Sequence, residues 1–294
     1  MKQTLVIGAA GFVGKYLTKE LESNGHRVYA ADIPELNILD VDSLEKKFSE
    51  ATFDYVVNLA AISSVGASWK DPIATLEVNV RGTLNILNAV QKHCPKAKVL
   101  LVGSAEEYAP KDSPLNEDDK LEASNPYGIT KVAQENFAEL YRKKYGMNIV
   151  CTRSFNHTGV GQTTNFVLPS FVKQIADIEK TGKSGKIFVG NLAVSRDFSD
   201  VRDVVTTYRK LLEKDTEYTV YNVGSGKANK LSDLLDYIIS LASVPVEVCI
   251  DPEKFRPVDL PYQCADNSRI KEFWPGTDIR QTIKEMFEFA CEQN

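Results

Sequence analysis

The sequence predicts an α/β fold, a doubly wound parallel sheet with a smaller interleaved C-terminal lobe. Three observations lead there. Short, nearly all-apolar runs alternate with helical patterns through the first half of the chain, as strands do when crossover helices bury both faces of a sheet. A glycine-rich turn joins the first such strand to the first helix. After about residue 156 the alternation loosens into helices separated by loops and short strands. A chain of 294 residues is long enough for one large unit or two lobes.

The elements follow in order. "TLVIGA" is a strand, "GFVGKYLTKELESNG" a helix ending at Gly25, "RVYAAD" a strand and "SLEKKFSE" a helix. "DYVVNLAA", "KVLLVGS" and "NIVCTRS" are further buried strands, with helices over 72–93 and 126–145 between them. The second of these helices opens on turn residues and Pro126 and stops at Gly146. Helices near 166–179, 201–212, 230–242 and 279–291 come later, among short strands such as "YTVYNV". The expected organisation is a dinucleotide-binding unit over 1–155, to which a segment near 196–225 returns, and a ligand lobe over most of 156–294. The crevice between them is the default ligand site.

Composition excludes several functions. The net charge of −5 offers no basic footprint for nucleic acid or anionic membrane. No apolar run approaches a membrane span, and the N-terminus lacks a signal-peptide pattern. The five cysteines are scattered without CxxC spacing, and the three histidines do not cluster. A cytoplasmic, reduced setting with no metal site is expected.

"VIGAAGFVGKYL" sets Gly8, Gly11 and Gly14 between strand and helix, with Phe12 and Val13 opening the helix. Small residues there let the backbone approach a pyrophosphate, and the helix N-terminus offers free N–H groups. Asp32 ends the second strand about 20 residues on, where an acidic group accepts from the adenosine ribose. No Lys or Arg follows it in "AADIPELNILD". NAD(H) is therefore favoured and NADP(H) is the second choice. Asp32 also reads as a turn-initiating residue. Asp40 is a second candidate, at the adenine edge.

Tyr127 and Lys131 lie four residues apart, on one face of their helix near its start. "KVLLVGSAEEY" runs out of its strand into Ser104, Ala105, Glu106, Glu107 and Tyr108. A glycine turn, a strand ending in a hydroxyl residue and Tyr-x-x-x-Lys on the next helix resemble the extended short-chain dehydrogenase/reductase family over essentially the whole chain. The match includes "NLAA", with Leu59, Ala60 and Ala61, assigned to the end of the fourth strand, and "NVRGTLNIL", with Asn79 where a family Asn supports the active site. The resemblance implies a Rossmann-like sheet and a cofactor site on these residues. Tyr127 would be the acid/base, Lys131 would lower its pKa and hold the nicotinamide ribose, and Ser104 would orient a substrate carbonyl.

"RSFNHTGVGQ", "FVLPSFVKQIADIE", "VGNLAVSRDFSDVRDVV" and "RPVD" resemble the nucleotide-sugar branch, most of all its GDP-4-keto-6-deoxy-D-mannose reductases, with GDP-mannose 4,6-dehydratases as near relatives. This implies Ala105, Glu106 and Asn156 at the sugar or diphosphate. Lys173 and Arg196 would face the diphosphate or base, Gly190, Asn191 and Leu192 the base, and Arg256 and Asp259 phosphate and ribose. Lys173 also reads as a solvated helix lysine, and Arg196 as a structural partner of Asp197 or Asp200. Three reactions follow: reduction of a GDP-linked 4-keto sugar, 4,6-dehydration with Glu106 as the extra carboxylate, or 4-epimerisation. The resemblance also implies a homodimer through a four-helix bundle of the 72–93 and 126–145 helices, with Leu84, Leu87, Phe137 and Leu140 as candidate contacts.

Overall fold

The computed structural model describes residues 1–255 and 260–293. It begins β1 (Gln3–Ile7), α1 (Phe12–Ser23), β2 (Arg27–Ala31), α2 (Val41–Ser49) and β3 (Tyr55–Asn58). Helices α3 (Val65–Lys70) and α4 (Pro72–Leu76) lead through a π turn, Glu77–Arg81, into α5 (Gly82–His93). Next come β4 (Lys98–Ser104), the 3-10 turn Ala105–Glu107, α6 (Pro126–Tyr145), β5 (Asn148–Ser154) and β6 (Asn156–Thr158). The remainder is α7 (Val167–Thr181), β7 (Gly185–Val189), β8 (Ser195–Asp200), α8 (Val201–Glu213), β9 (Val220–Val223), β10 (Ala228–Lys230), α9 (Leu231–Ser240), β11 (Val246–Ile250), β12 (Tyr262–Gln263) and α10 (Ile279–Glu292).

Six parallel strands form the main sheet in the order β2-β1-β3-β4-β5-β9. Strand periodicity of two divides its side chains cleanly. Leu5, Val56, Val99, Leu101 and Ile149 pack with Leu44, Phe48, Ile86, Leu87 and Ala138 of α2, α5 and α6. Their neighbours Val6, Val57, Leu100 and Val150 pack on the other face with Leu17, Leu21, Val204, Tyr208 and Leu211 of α1 and α8. Both faces are dry, which is why the strand runs read as continuously apolar. Truncating Leu100, fully buried at the sheet centre, to Ala should cost about 2–5 kcal/mol.

The chain order reverses direction across β1, whose neighbours are β2 and β3. Ligands in such sheets sit beyond the strand C-termini at that reversal. The glycine turn, the segment after β3 and the end of β4 all emerge there. A third core lies apart from the sheet, with Phe171 and Ile175 of α7, Ile187 of β7, Leu235 of α9 and Ile283 and Met286 of α10. Around it β10-β8-β12, with β6 on β8, and the β11–β7 pair form two small sheets. The segment expected to return near 196–225 does so only from α8 onward; β8 belongs to the second set of strands.

Other sequence expectations also need correction. "NLAA" follows the third strand, because the stretch before Asp40 forms turns and caps α2 instead of adding a strand. The 72–93 helix carries a π turn centred on Asn79. Leu87 faces its own sheet and is fully buried, so it is not available to a partner. No helix among the described residues is long and apolar enough to cross a membrane.

Candidate active site

The glycine turn is shaped by close approach. Gly8 has φ of +86°, and a Cβ there would lie 2.8 Å from the Ala60 main-chain nitrogen, so the turn presses on Leu59 and Ala60. Ala61 follows them directly. Gly11 is the N-cap of α1 and has no side chain with which to cap it; Phe12 and Val13 form the first turn, and Gly14 is buried beneath it. A helix N-terminus without a side-chain cap, behind a turn of glycine and alanine, fits the diphosphate of a nicotinamide dinucleotide.

Asp32 binds this turn directly. Its carboxylate accepts from the Ala10 N–H at 2.9 Å and from its own neighbour Ile33 N–H at 2.9 Å. It therefore does the work of a turn residue while sitting where a ribose acceptor would. Asp40 is exposed and caps α2, accepting from Asp42 N–H at 3.0 Å and Ser43 N–H at 3.4 Å. Both bonds fall on Oδ1.

Ser104, Tyr127 and Lys131 converge at the end of β4, and all are buried, with relative exposures of 8%, 8% and 4%. Position follows from local sequence. Asn125 caps α6, its side chain accepting from Gly128 N–H at 2.9 Å, and Pro126 takes the first helical position. The helix then presents Tyr127 and, one turn on, Lys131. The Tyr127 N–H donates to Ser68 Oγ of α3 at 3.2 Å. The Ser104 hydroxyl accepts from Glu106 N–H at 3.2 Å. Lys131 Nζ is 5.8 Å from the phenol ring centre and donates to Val102 O at 2.7 Å and Gln134 Oε1 at 3.2 Å.

The expected depression of the Tyr127 pKa is not found. Burial pushes the phenol up, and the Ser104 hydrogen bond only partly opposes it. Burial also brings Lys131 down to about 8, with the Glu107 carboxyl opposing that shift. Desolvation outweighs the ammonium because Lys131 donates to Val102 and Gln134 rather than to the phenol oxygen. The arrangement holds Tyr127 protonated at neutral pH, the form in which it can give a proton.

Neighbouring residues are fixed by hydrogen bonds. Ala105 is buried. Glu106 is half-buried, and its Oε2 accepts from Asn125 Nδ2 at 2.7 Å. Asn79 is fully buried in the π turn; its amide exchanges bonds with Ile62 N–H at 2.8 Å and Ile62 O at 3.1 Å and donates to Thr130 Oγ1 at 2.9 Å. Its amide is thereby committed to joining the loop after β3 to α6. Ser68 and Gln134 escaped the sequence reading, which named Glu107 but gave it no role. Asn125 ahead of Pro126 carried a usable signal, that of a helix cap.

The other candidates lie on the second lobe. Asn156 is exposed on β6 and donates to Asp197 O at 3.4 Å. Arg196 donates from Nη1 to Ser195 O at 2.9 Å. Asp197 accepts from Ser225, Gly226 and Ala265 N–H groups at 2.9, 2.9 and 3.2 Å, and Asp200 pairs with Arg202 at 2.6 Å. Lys173 is exposed and paired with Asp177 of its own helix at 2.5 Å, the geometry of a solvated helix lysine. Gly190 leaves room for Lys254 O, which a Cβ would meet at 2.7 Å. Asn191 Oδ1 accepts from Ala193 N–H at 2.9 Å, and Leu192 packs on the third core. Arg256 and Asp259 lie outside the described residues. His157 stacks on Phe12 at 6.4 Å, and burial lowers its pKa, so it is neutral.

Comparison with known proteins adds independent findings. A model described as the NAD dependent epimerase/dehydratase family matches residues 4–224. A GDP-6-deoxy-D-mannose reductase from Pseudomonas aeruginosa is 32% identical over 291 residues, which cover 96% of this chain and 95% of the relative. A GDP-mannose 4,6 dehydratase from Arabidopsis thaliana is 27% identical over 99% of this chain and 90% of its own. Among solved structures, RMD from Pseudomonas aeruginosa complexed with NADPH superposes with a TM-score of 0.90 at 29% identity, covering 99% of both chains.

Proposed function

Because the chain belongs to the NAD dependent epimerase/dehydratase family, we propose that it reduces the C4 ketone of a nucleotide-linked 4-keto-6-deoxyhexose, GDP-4-keto-6-deoxy-D-mannose above all, using NAD(P)H. The observation that carries this reading is the buried Ser104–Tyr127–Lys131 set, poised at the end of β4 beside a turn fit for a dinucleotide diphosphate. Similarity to a GDP-6-deoxy-D-mannose reductase over 96% of the chain supports the choice of substrate.

Reduced nicotinamide would supply hydride to C4. The chain's own work is positional and protic. Ser104 holds the ketone oxygen by its hydroxyl. Tyr127, kept protonated by burial, gives that oxygen its proton, a contribution of roughly 10²–10⁴-fold. Lys131 stabilises the phenolate left behind and holds the nicotinamide ribose. Gly8, Gly11, Phe12, Val13 and Gly14 take the diphosphate, Asp32 the adenosine ribose, and Leu59, Ala60 and Ala61 line the cofactor, with Asn79 behind them. Asp32 favours NAD(H), since a 2′-phosphate would meet its carboxylate.

The nucleotide sugar is assigned to the second lobe. Asn156, Arg196, Arg256 and Asp259 would hold diphosphate and ribose, and Gly190, Asn191 and Leu192 the base. Lys173 is the weakest member, since its exposed pair with Asp177 explains it already. Remote binding of diphosphate and base can hold the reacting ring in a near-attack pose. The assembly is a homodimer through α4 to α6, supported by Ile73, Leu76, Ile129 and Leu140, all exposed on these helices. Five free thiols suit a cytoplasmic setting.

A dehydratase reading is kept for one observation: Glu106, where that reaction needs a carboxylate, is held by Asn125 at 2.7 Å. Product analysis by NMR with deuterated NADH decides. Deuterium at C4 of a 6-deoxyhexose, with one cofactor oxidised per sugar, supports the reductase. Loss of water from GDP-mannose without net cofactor consumption establishes the dehydratase instead.

A further inference from the structure

We propose that Glu107 is a positioning residue of this site: its buried carboxyl clamps the Ser104 main chain and shares a pocket of charge with Lys131, coupling the protons of the reacting set to its own. The proposal rests on the assignment of Ser104, Tyr127 and Lys131 above.

Glu107 is completely buried, one turn beyond the end of β4. Its Oε1 accepts from the Ser104 N–H at 2.7 Å, while Ser104 Oγ accepts from Glu106 N–H at 3.2 Å. This reciprocal capping fixes the backbone from which the Ser104 hydroxyl projects. Gly103 makes the clamp possible: a Cβ there would lie 2.4 Å from Glu107 Oε1. The second oxygen is the anomaly. Oε2 has no hydrogen-bond partner among the described residues. Arg153 Nε stands 3.9 Å away, but that guanidinium is committed elsewhere. It binds Glu135 at 3.0 and 2.5 Å, the Tyr108 hydroxyl at 3.0 Å and Glu117 O at 2.8 Å.

A purely structural clamp could be any neutral acceptor. A carboxyl with one oxygen left over is an expensive choice in a dry interior. The groups that face it explain the choice. Lys131 Nζ sits on Val102 O, the residue before the Gly103 that Glu107 Oε1 packs against, and Glu135 and Tyr127 of α6 and Arg153 and Cys151 of β5 share its electrostatic surroundings. Burial and Glu135 push the Glu107 carboxyl up to about 8, and Lys131 is brought down to about 8. At neutral pH the carboxyl is protonated and the lysine charged. As pH rises, ionisation of Glu107 holds the proton on Lys131, so the ammonium persists on the alkaline side.

The test uses two variants of the full-length protein. Glu107→Gln keeps the acceptor and removes the charge; Glu107→Met removes both. The readouts are kcat and KM for the 4-keto sugar, and the NADH dissociation constant by fluorescence, from about pH 6 to about pH 10. Glu107→Gln should stay within about threefold of the parent kcat at neutral pH, while the alkaline limbs of kcat and of NADH binding move down by on the order of one pH unit. Glu107→Met should lose roughly 10–100-fold in kcat with less change in KM. Alkaline limbs of Glu107→Gln that superimpose on the parent overturn the coupling, and full kcat in Glu107→Met overturns the clamp. Should Glu107→Met not fold, the clamp is a structural one and that part of the proposal is overturned, while the Gln variant still decides the coupling. NADH binding does not depend on the sugar, so a parent protein inactive on the 4-keto sugar would refute the reductase and leave Glu107 to be judged on its binding profile.

Discussion

Lys131 places its ammonium 5.8 Å from the centre of the Tyr127 ring yet donates to Val102 O at 2.7 Å. The lysine is anchored to the strand that carries Ser104 rather than to the phenol oxygen. In the proposed reaction this pair would act as a proton donor held in its acid form, with a cation near it to stabilise the charge left after transfer.

Tyr127→Phe should lower kcat by about 10²–10⁴-fold and leave NADH affinity nearly unchanged, because the phenol oxygen is the only atom lost. Lys131→Ala should damage both. Steady-state kinetics beside fluorescence titration separates the two patterns, and near-normal turnover by Tyr127→Phe would refute the assignment.

Asp32 accepts from Ala10 N–H at 2.9 Å at the edge of the glycine turn. NADH should bind more tightly than NADPH, and Asp32→Ala should narrow or reverse the preference while loosening the turn. Tighter binding of NADPH by the parent protein would contradict this.

Glu107 leaves a signature in stability as well. Its folded pKa of about 8 stands above the ordinary carboxyl value of 4.5. The native state thus binds the extra proton, so the contribution is full below about 4.5 and lost as pH rises through about 8. Lys131, lowered from 10.5 to about 8, acts oppositely, and its burden is relieved above about 8. Melting temperature measured between these limits should fall more steeply in the parent than in Glu107→Gln. Parallel curves would show that the carboxyl is already ionised.

Leu140 is 58% exposed on α6. Light scattering at micromolar concentration should give twice the 32.7 kDa chain mass, and Leu140→Glu should move it toward the monomer by burying charge at a dry contact. A monomeric parent would count against the helix bundle.

Much of the fold was legible because it is local. The apolar strands, the glycine turn and the Asn125–Pro126 helix start each announce themselves within a few residues. The proposed catalytic trio was picked out by residue type and spacing, and its three members are buried. Asn79 was named as a candidate supporting Asn from its motif alone, whereas its bonds to Ile62 and Thr130 join three segments distant in sequence. The role of Glu107 was invisible for a different reason: it differs from Glu106 only in pointing inward, which depends on the bend after β4. The Tyr127 pKa went the wrong way because proximity to Lys131 was readable and desolvation was not.

The sixth strand of the main sheet, β9, pairs with β5, although the whole of β6, α7, β7, β8 and α8 is made between them. During synthesis the flank of β5 stays open from Ser154 until Val223 has emerged. An open parallel edge is a template for unwanted pairing, and its closure waits on a long loop. A fragment ending at Phe155 should therefore be recovered in the insoluble fraction, while one extended through β9 and its flanking turn gains a closed edge. The site is in this sense welded from both sides: the lobe that would hold the sugar is spliced into the cofactor sheet, and neither can be inherited, or lost, alone.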